Sequence, residues 1–106
     1  MKGLAILGST GSIGVSTLDV VRQHPQRYSL VALSANTDVD GLLAQCREFR
    51  PELVAMADPA CARALARRLR EFDLTCEVMA GAEGLEAVAT HPQASDVMAA
   101  IVGAAG

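Results

Sequence analysis

Three glycines stand three residues apart in Gly8-Ser9-Thr10-Gly11-Ser12-Ile13-Gly14, between the apolar run Leu4-Ala5-Ile6-Leu7 and a helix-compatible run to Val21. Residues of these types at this spacing can cradle a phosphate. Gly8 can take the tight-turn angles that other residues disfavour. Gly11 has no Cβ, so a pyrophosphate can approach its backbone, and Gly14 lets the helix lie near the strand. The N–H groups of the first helical turn, with the positive end of the dipole, face the anion. Thr10 and Ser12 add hydroxyl donors. The loop has no Lys, which excludes the ATPase phosphate loop with its Gly-Lys-Ser/Thr. The spacing is GxxGxxG rather than GxGxxG, and three glycines alone also suit a purely structural turn. The flanking strand and helix are the context in which such a pattern means a dinucleotide site.

The elements that must position this loop alternate. Met1–Leu7 reads as a strand and Ser12 to about His24 as a helix, stopped by Pro25. Tyr28–Ala35 is a strand apolar on both faces, and Asp38 is the N-cap of a helix that buries Leu42, Leu43, Cys46 and Phe49 and ends at Pro51. Leu53–Ala57 is the third strand. Asp58-Pro59 starts a helix that carries Ala62, Leu65, Leu69 and Phe72 inward and Arg63, Arg67, Arg68 and Arg70 outward. Glu71 and Asp73 beside those arginines, with no interleaved aromatics, make them a solvated face rather than a phosphate or RNA patch. Cys76–Met79 is a short strand, Gly81 a turn, Glu83–Ala89 a short helix weakened at its start by Gly84, and Asp96–Val102 a buried strand.

This order predicts an α/β fold: a Rossmann-like parallel sheet with helices on both faces and right-handed crossovers. The carboxyl ends of the first, second and last strands then converge, bringing together the Gly8–Gly14 loop, the Ala35–Asp38 loop and Gly103–Gly106, where ligands bind in such sheets. A complete sheet continues past the last strand, so the fold is expected to be truncated there. The apolar edge of Val97–Val102 is then a template for a second chain, and either a homodimer through Val97–Gly106 or a marginal, aggregation-prone monomer is expected.

A chain of 106 residues holds one small domain. A net charge of −3 gives no reason to expect nucleic acid. Cys46, Cys61 and Cys76 form no CxxC pair and read as reduced thiols of a cytoplasmic protein. No signal peptide is expected, and the longest weakly apolar run, Val97–Ala105, falls far short of the ~20 residues of a membrane helix. An acid at the tip of the second strand would favour NAD. The tip here is Ser34-Ala35-Asn36-Thr37, small neutral donors suited to a 2′-phosphate, followed by Asp38, which favours NAD only if it points at the ribose instead of capping its helix. His24 and His91 each precede a Pro and read as exposed helix ends. No residue is assigned to catalysis, and no carboxylate cluster suggests a metal site.

The stretch Gly8–Gly14 continued by Ser16-Thr17-Leu18-Asp19-Val20-Val21, together with the end Val97-Met98-Ala99-Ala100-Ile101-Val102-Gly103-Ala104-Ala105-Gly106, resembles the N-terminus of the 1-deoxy-D-xylulose 5-phosphate reductoisomerase family. The middle agrees in layout, with His-Pro before the second strand and Cys-Arg-Glu-Phe-Arg-Pro closing the second helix. The resemblance implies a full-length NADPH-dependent oxidoreductase of non-mevalonate isoprenoid biosynthesis. It would convert 1-deoxy-D-xylulose 5-phosphate to 2-C-methyl-D-erythritol 4-phosphate with a divalent metal, Mg or Mn. It implies that Thr10, Gly11, Ser12 and Ile13 bind the pyrophosphate and its neighbours. Asn36 and Thr37 would meet the 2′-phosphate. Family members often carry Gly, a basic or small polar residue, then Asn where this chain has Asn36, Thr37 and Asp38. By the same resemblance, the metal ligands, substrate-phosphate residues and lid lie beyond residue 106, and residues 1–106 are the NADPH-binding part, inactive alone. Two other readings remain at this point: a non-catalytic dinucleotide-binding module, and the N-terminal domain of a semialdehyde dehydrogenase-like enzyme, whose Gly-x-Thr-Gly-x-x-Gly turn is similar.

Overall fold

The computed structural model describes residues 2–99. In chain order the elements are β1 (Lys2–Leu7), α1 (Ser12–Gln23), β2 (Tyr28–Ala35), α2 (Val39–Phe49), β3 (Leu53–Met56), α3 (Pro59–Glu71), β4 (Glu77–Ala80), α4 (Gly81–Ala89) and β5 (Asp96–Ala99). The five strands form one sheet in the order β4-β3-β2-β1-β5, every pair parallel. The order reverses at β1: the chain steps outward through β2, β3 and β4, and β5 returns to the other side of β1. This is the expected α/β, Rossmann-like arrangement. Met1, the run after Ala99 and the Gly103–Gly106 end lie outside the described residues.

Local chemistry sets most of the boundaries. Gly11 is the N-cap of α1, and the helix stops before Pro25, with His24 at φ −129°. Asp38 accepts from the N–H of Gly41 and starts α2; Arg50, left-handed at φ 50°, ends it before Pro51. Asp58 accepts from the N–H groups of Ala60 and Cys61, and Pro59 occupies the first turn of α3.

The two faces of the sheet are covered unequally. Leu18 and Val21 of α1, Leu42, Leu43 and Cys46 of α2, and Ala62, Leu65 and Leu69 of α3 pack on Leu4, Ile6, Leu33, Val54 and Met56. Burying one such side chain contributes roughly 1.5–3 kcal/mol. The other face carries α4, where Val88 meets Ala5, Ala32, Leu53 and Ala55. Alanines keep that layer thin. β2 holds one extra residue against β1: Leu4 pairs with Leu30 but Ala5 with Ala32, which passes over Val31. Leu30 and Leu33, three apart, therefore both reach the core under α1–α3.

Several local expectations need correction. β5 is not buried where it is described: Asp96 and Val97 are exposed at the sheet edge. Phe72 is not inward: it is the C-cap of α3, 41% exposed, with the Arg47 guanidinium 4.2 Å from its ring centre. A cap leaves the helical register, and the left-handed turn at Asp73 (φ 56°) takes the chain away. β4 runs one residue later than Cys76–Met79. α4 starts at Gly81 (φ 69°), two residues before Glu83. Gly84 does not weaken that start. A Cβ on it would lie 3.0 Å from Ala55 Cβ, so glycine lets α4 settle on β3. His91 is not an exposed end: its side chain is 14% exposed, with Nε2 3.6 Å from Glu52. The arginine face of α3 is solvated as expected, with Arg68 paired to Asp40 at 3.3 Å and Glu71 at 3.4 Å.

Candidate cofactor-binding site

β1 delivers the chain to Gly8, whose φ of 75° turns it sharply off the strand. The N–H of Gly11 donates to Gly8 O at 3.1 Å and closes the turn. Gly11 itself is extended, at φ −76° and ψ 170°, so its missing side chain matters and not a left-handed angle. Gly14 is buried, and a Cβ there would lie 2.6 Å from Ser9 Cα. Only glycine lets α1 pass this close to the loop.

The result is an open helix N-terminus. Val15 N–H is the first to return into the helix, donating to Gly11 O at 2.9 Å. Among the described residues nothing accepts from the N–H groups of Ser12 and Ile13. No side chain caps α1, and its first turn carries no acid. Unsatisfied donors and the positive dipole end therefore face solvent together, which suits an anion. Thr10 is half-buried beside them, while Gly11, Ser12 and Ile13 are exposed.

The β2 tip is tied to this loop. Gly8 N–H donates to Ser34 Oγ at 3.1 Å, and Ser9 N–H donates to Ser34 O at 2.8 Å. Beyond Ser34, Asn36 and Thr37 expose an amide and a hydroxyl. Asp38 turns the other way: its Oδ1 accepts from Gly41 N–H at 2.9 Å, which engages the carboxylate in capping. The fold thus brings Thr10, Gly11, Ser12 and Ile13 into one turn and sets Asn36 and Thr37 at the neighbouring strand end. The expected third contribution, Gly103–Gly106, lies outside the described residues.

Sequence reasoning missed Ser9 and Gln45, and its grouping of Ser34 with the 2′-phosphate donors needs correction: Ser34 is buried, and its Oγ accepts from Gly8 N–H at 3.1 Å. Ser9 and Ser34 are the buried polar residues of the described core. Ser9 Oγ donates to Gln45 Oε1 at 2.6 Å, and Gln45 Nε2 donates to Ser9 O at 2.8 Å. The available signal was Gln45 itself, a polar residue three positions after Leu42 at the border of the apolar stripe of α2. Among the described residues no group of three His, Cys, Asp or Glu is placed to hold a metal ion.

Residues 4–106 match the description of the 1-deoxy-D-xylulose 5-phosphate reductoisomerase family. The reductoisomerase of Methylococcus capsulatus is 57% identical across the whole of this chain and 27% of its own length. That of Nitrosococcus oceani is 53% identical over the same shares. A crystal structure of DOX-P reductoisomerase with NADPH, fosmidomycin and magnesium superposes at a TM-score of 0.91, 40% identical, over 95% of this chain and 24% of that one. The Zymomonas mobilis enzyme in complex with NADPH superposes at 0.86, 35% identical, over 94% and 26%. The chain spans about a quarter of the length of the relatives it matches. With a family match through nearly its whole length and the fold of solved family members, the chain belongs to the 1-deoxy-D-xylulose 5-phosphate reductoisomerase family.

Proposed function

We propose that residues 1–106 are the NADPH-binding domain of an enzyme that converts 1-deoxy-D-xylulose 5-phosphate to 2-C-methyl-D-erythritol 4-phosphate in non-mevalonate isoprenoid biosynthesis. The carrying observation is the open N-terminus of α1 behind a glycine turn, in a chain that matches the family over residues 4–106. That match favours this reading over a semialdehyde dehydrogenase-like domain and over a non-catalytic module.

The donors present fit the cofactor. In this reading the N–H groups of Ser12 and Ile13 donate to pyrophosphate oxygens, Thr10 and Ser12 add hydroxyl donors, and Gly11 leaves room for the phosphates. Asn36 and Thr37 donate to the adenosine 2′-phosphate. Asp38, whose Oδ1 accepts from Gly41 N–H, caps α2 in this reading and is not turned to the ribose hydroxyl. The bound NADPH supplies a hydride. The Mg or Mn ion fits no cluster among the described residues and belongs, with the phosphorylated sugar, in this proposal to other parts of the full-length enzyme.

The proposal extends to a cytoplasmic homodimer that engages neither nucleic acid nor membrane. Free thiols, a net charge of −3 and the absence, among the described residues, of a helix long and apolar enough to cross a membrane agree with it. For these 106 residues by themselves, association is supported by the outer edge of β5, which pairs with no other strand among the described residues, and by Val97, 43% exposed. Titration with NADPH and NADH tests the central claim. Saturable binding, tighter for NADPH, is expected, and no binding of either nucleotide would sink it.

A further inference from the structure

Ser9 is fully buried, so its hydroxyl and carbonyl must find partners inside the protein. One side chain supplies both. Gln45 Oε1 accepts the Ser9 hydroxyl at 2.6 Å while Gln45 Nε2 donates to the Ser9 carbonyl at 2.8 Å. The remaining polar group of Ser9, its N–H, goes to Ser34 O at 2.8 Å, and the hydroxyl also lies 3.3 Å from that carbonyl. The peptide leaving Ser9 is thus held by α2 on one side and β2 on the other. Its orientation sets where Thr10, Gly11 and the amides of Ser12 and Ile13 point.

We propose that Gln45 is a positioning residue for the phosphate-binding loop: its bidentate hold on Ser9 aims the first-turn amides of α1 at the pyrophosphate. This rests on the NADPH-binding reading above. Gln45 touches no cofactor in this account. It acts through Ser9, and it connects α2, which starts just after the 2′-phosphate donors Asn36 and Thr37, to the pyrophosphate loop. Removing it leaves a buried carbonyl without its donor, and the loop relaxes to find water.

The test uses the full-length enzyme, wild type and Gln45→Ala. NADPH and NADH share the pyrophosphate, so their Kd values are expected to rise by a common factor of about ten, the size of losing such a buried bond. Adenosine 2′-monophosphate lacks the pyrophosphate, and its Kd is expected to stay within about twofold. KM for NADPH rises while kcat at saturating NADPH holds. Gln45→Met keeps the volume without the hydrogen bonds and replaces Gln45→Ala if that variant is insoluble. Ser9→Ala retains the carbonyl bond and should show a smaller rise. Unchanged dinucleotide affinity in Gln45→Ala or Gln45→Met, or an equal loss for adenosine 2′-monophosphate, overturns the positioning role. Wild-type enzyme that binds no NADPH overturns the proposed function itself, and the positioning role with it.

Discussion

Gly14 faces the Gly8–Ser9 peptide across a gap that admits no side chain. Gly14→Ala would force a methyl group to within 2.6 Å of Ser9 Cα and push α1 off the loop. The expected cost is about 1–3 kcal/mol of overpacking, read from urea denaturation of wild type and variant. Three residues earlier the physics differs. Gly11 sits at φ −76° and ψ 170°, angles any residue adopts, so Gly11→Val keeps the fold by circular dichroism. Its side chain instead occupies phosphate space, and NADPH affinity is expected to fall at least about tenfold, or 1.4 kcal/mol. A Gly11→Val protein that binds NADPH like wild type would remove this turn from the site. The cysteines are quieter. Cys46 is buried, and the neighbouring Cys76 thiol together with that burial pushes its own thiol up, so it packs as a small apolar group.

At the scale of elements, capping decides what Asp38 is for. A carboxylate just beyond the second strand can bind a ribose hydroxyl or start a helix, and here it accepts from Gly41 N–H. Asp38→Ala is therefore expected to lower stability by about 1 kcal/mol, the usual worth of an N-cap, and to leave the NADPH-to-NADH preference unchanged. Thermal unfolding beside the two nucleotide titrations checks both halves, and a shifted preference would return Asp38 to the ribose. The C-terminal ends of α1 and α2 are joined by Arg22, which binds Glu48 and Asp19 and lies 5.4 Å from the Phe49 ring. The hydrogen bond from Arg22 holds the Glu48 carboxyl below its ordinary value. That stabilisation is present above the ordinary carboxylate value and is lost as pH falls through the lowered one. Both groups are exposed, so salt screens it and it remains small.

Across the whole molecule, three helices cover one face of the sheet and α4 the other, with the strand order reversing at β1. That reversal places the glycine turn at the crevice where sheets of this kind take their ligands. The described residues supply donors for an anion but no group of three His, Cys, Asp or Glu placed to hold a metal ion. A protein made of these 106 residues alone is accordingly expected to show no turnover of 1-deoxy-D-xylulose 5-phosphate with Mg²⁺ or Mn²⁺. NADPH oxidation is the readout, and activity that co-purifies with the chain would refute it. Light scattering across a concentration series of these 106 residues tests association through the β5 edge, and a concentration-independent monomer would count against it.

What the sequence determined by itself is what a few neighbouring residues decide. Tyr28–Ala35, the caps at Asp38 and Asp58, the stop before Pro25 and the turn at Gly8 follow from backbone sterics, hydrogen bonds within one turn and the period of apolar residues. The open helix start at Gly11–Ser12 was legible for the same reason, since a glycine turn before a helix is a local object. Tertiary structure decided the rest. Phe72 has an apolar helix position by count, yet the helix ends beneath it and Arg47 from α2 covers its ring. Gly84 looks like a weak helix start until Ala55 of β3 lies against it. Ser9 and Gln45 stand 36 positions apart, and nothing local marks either as the other's partner. They meet because α2 packs over the sheet beside β1, which buries Ser9 and obliges its hydroxyl and carbonyl to be satisfied from across the core.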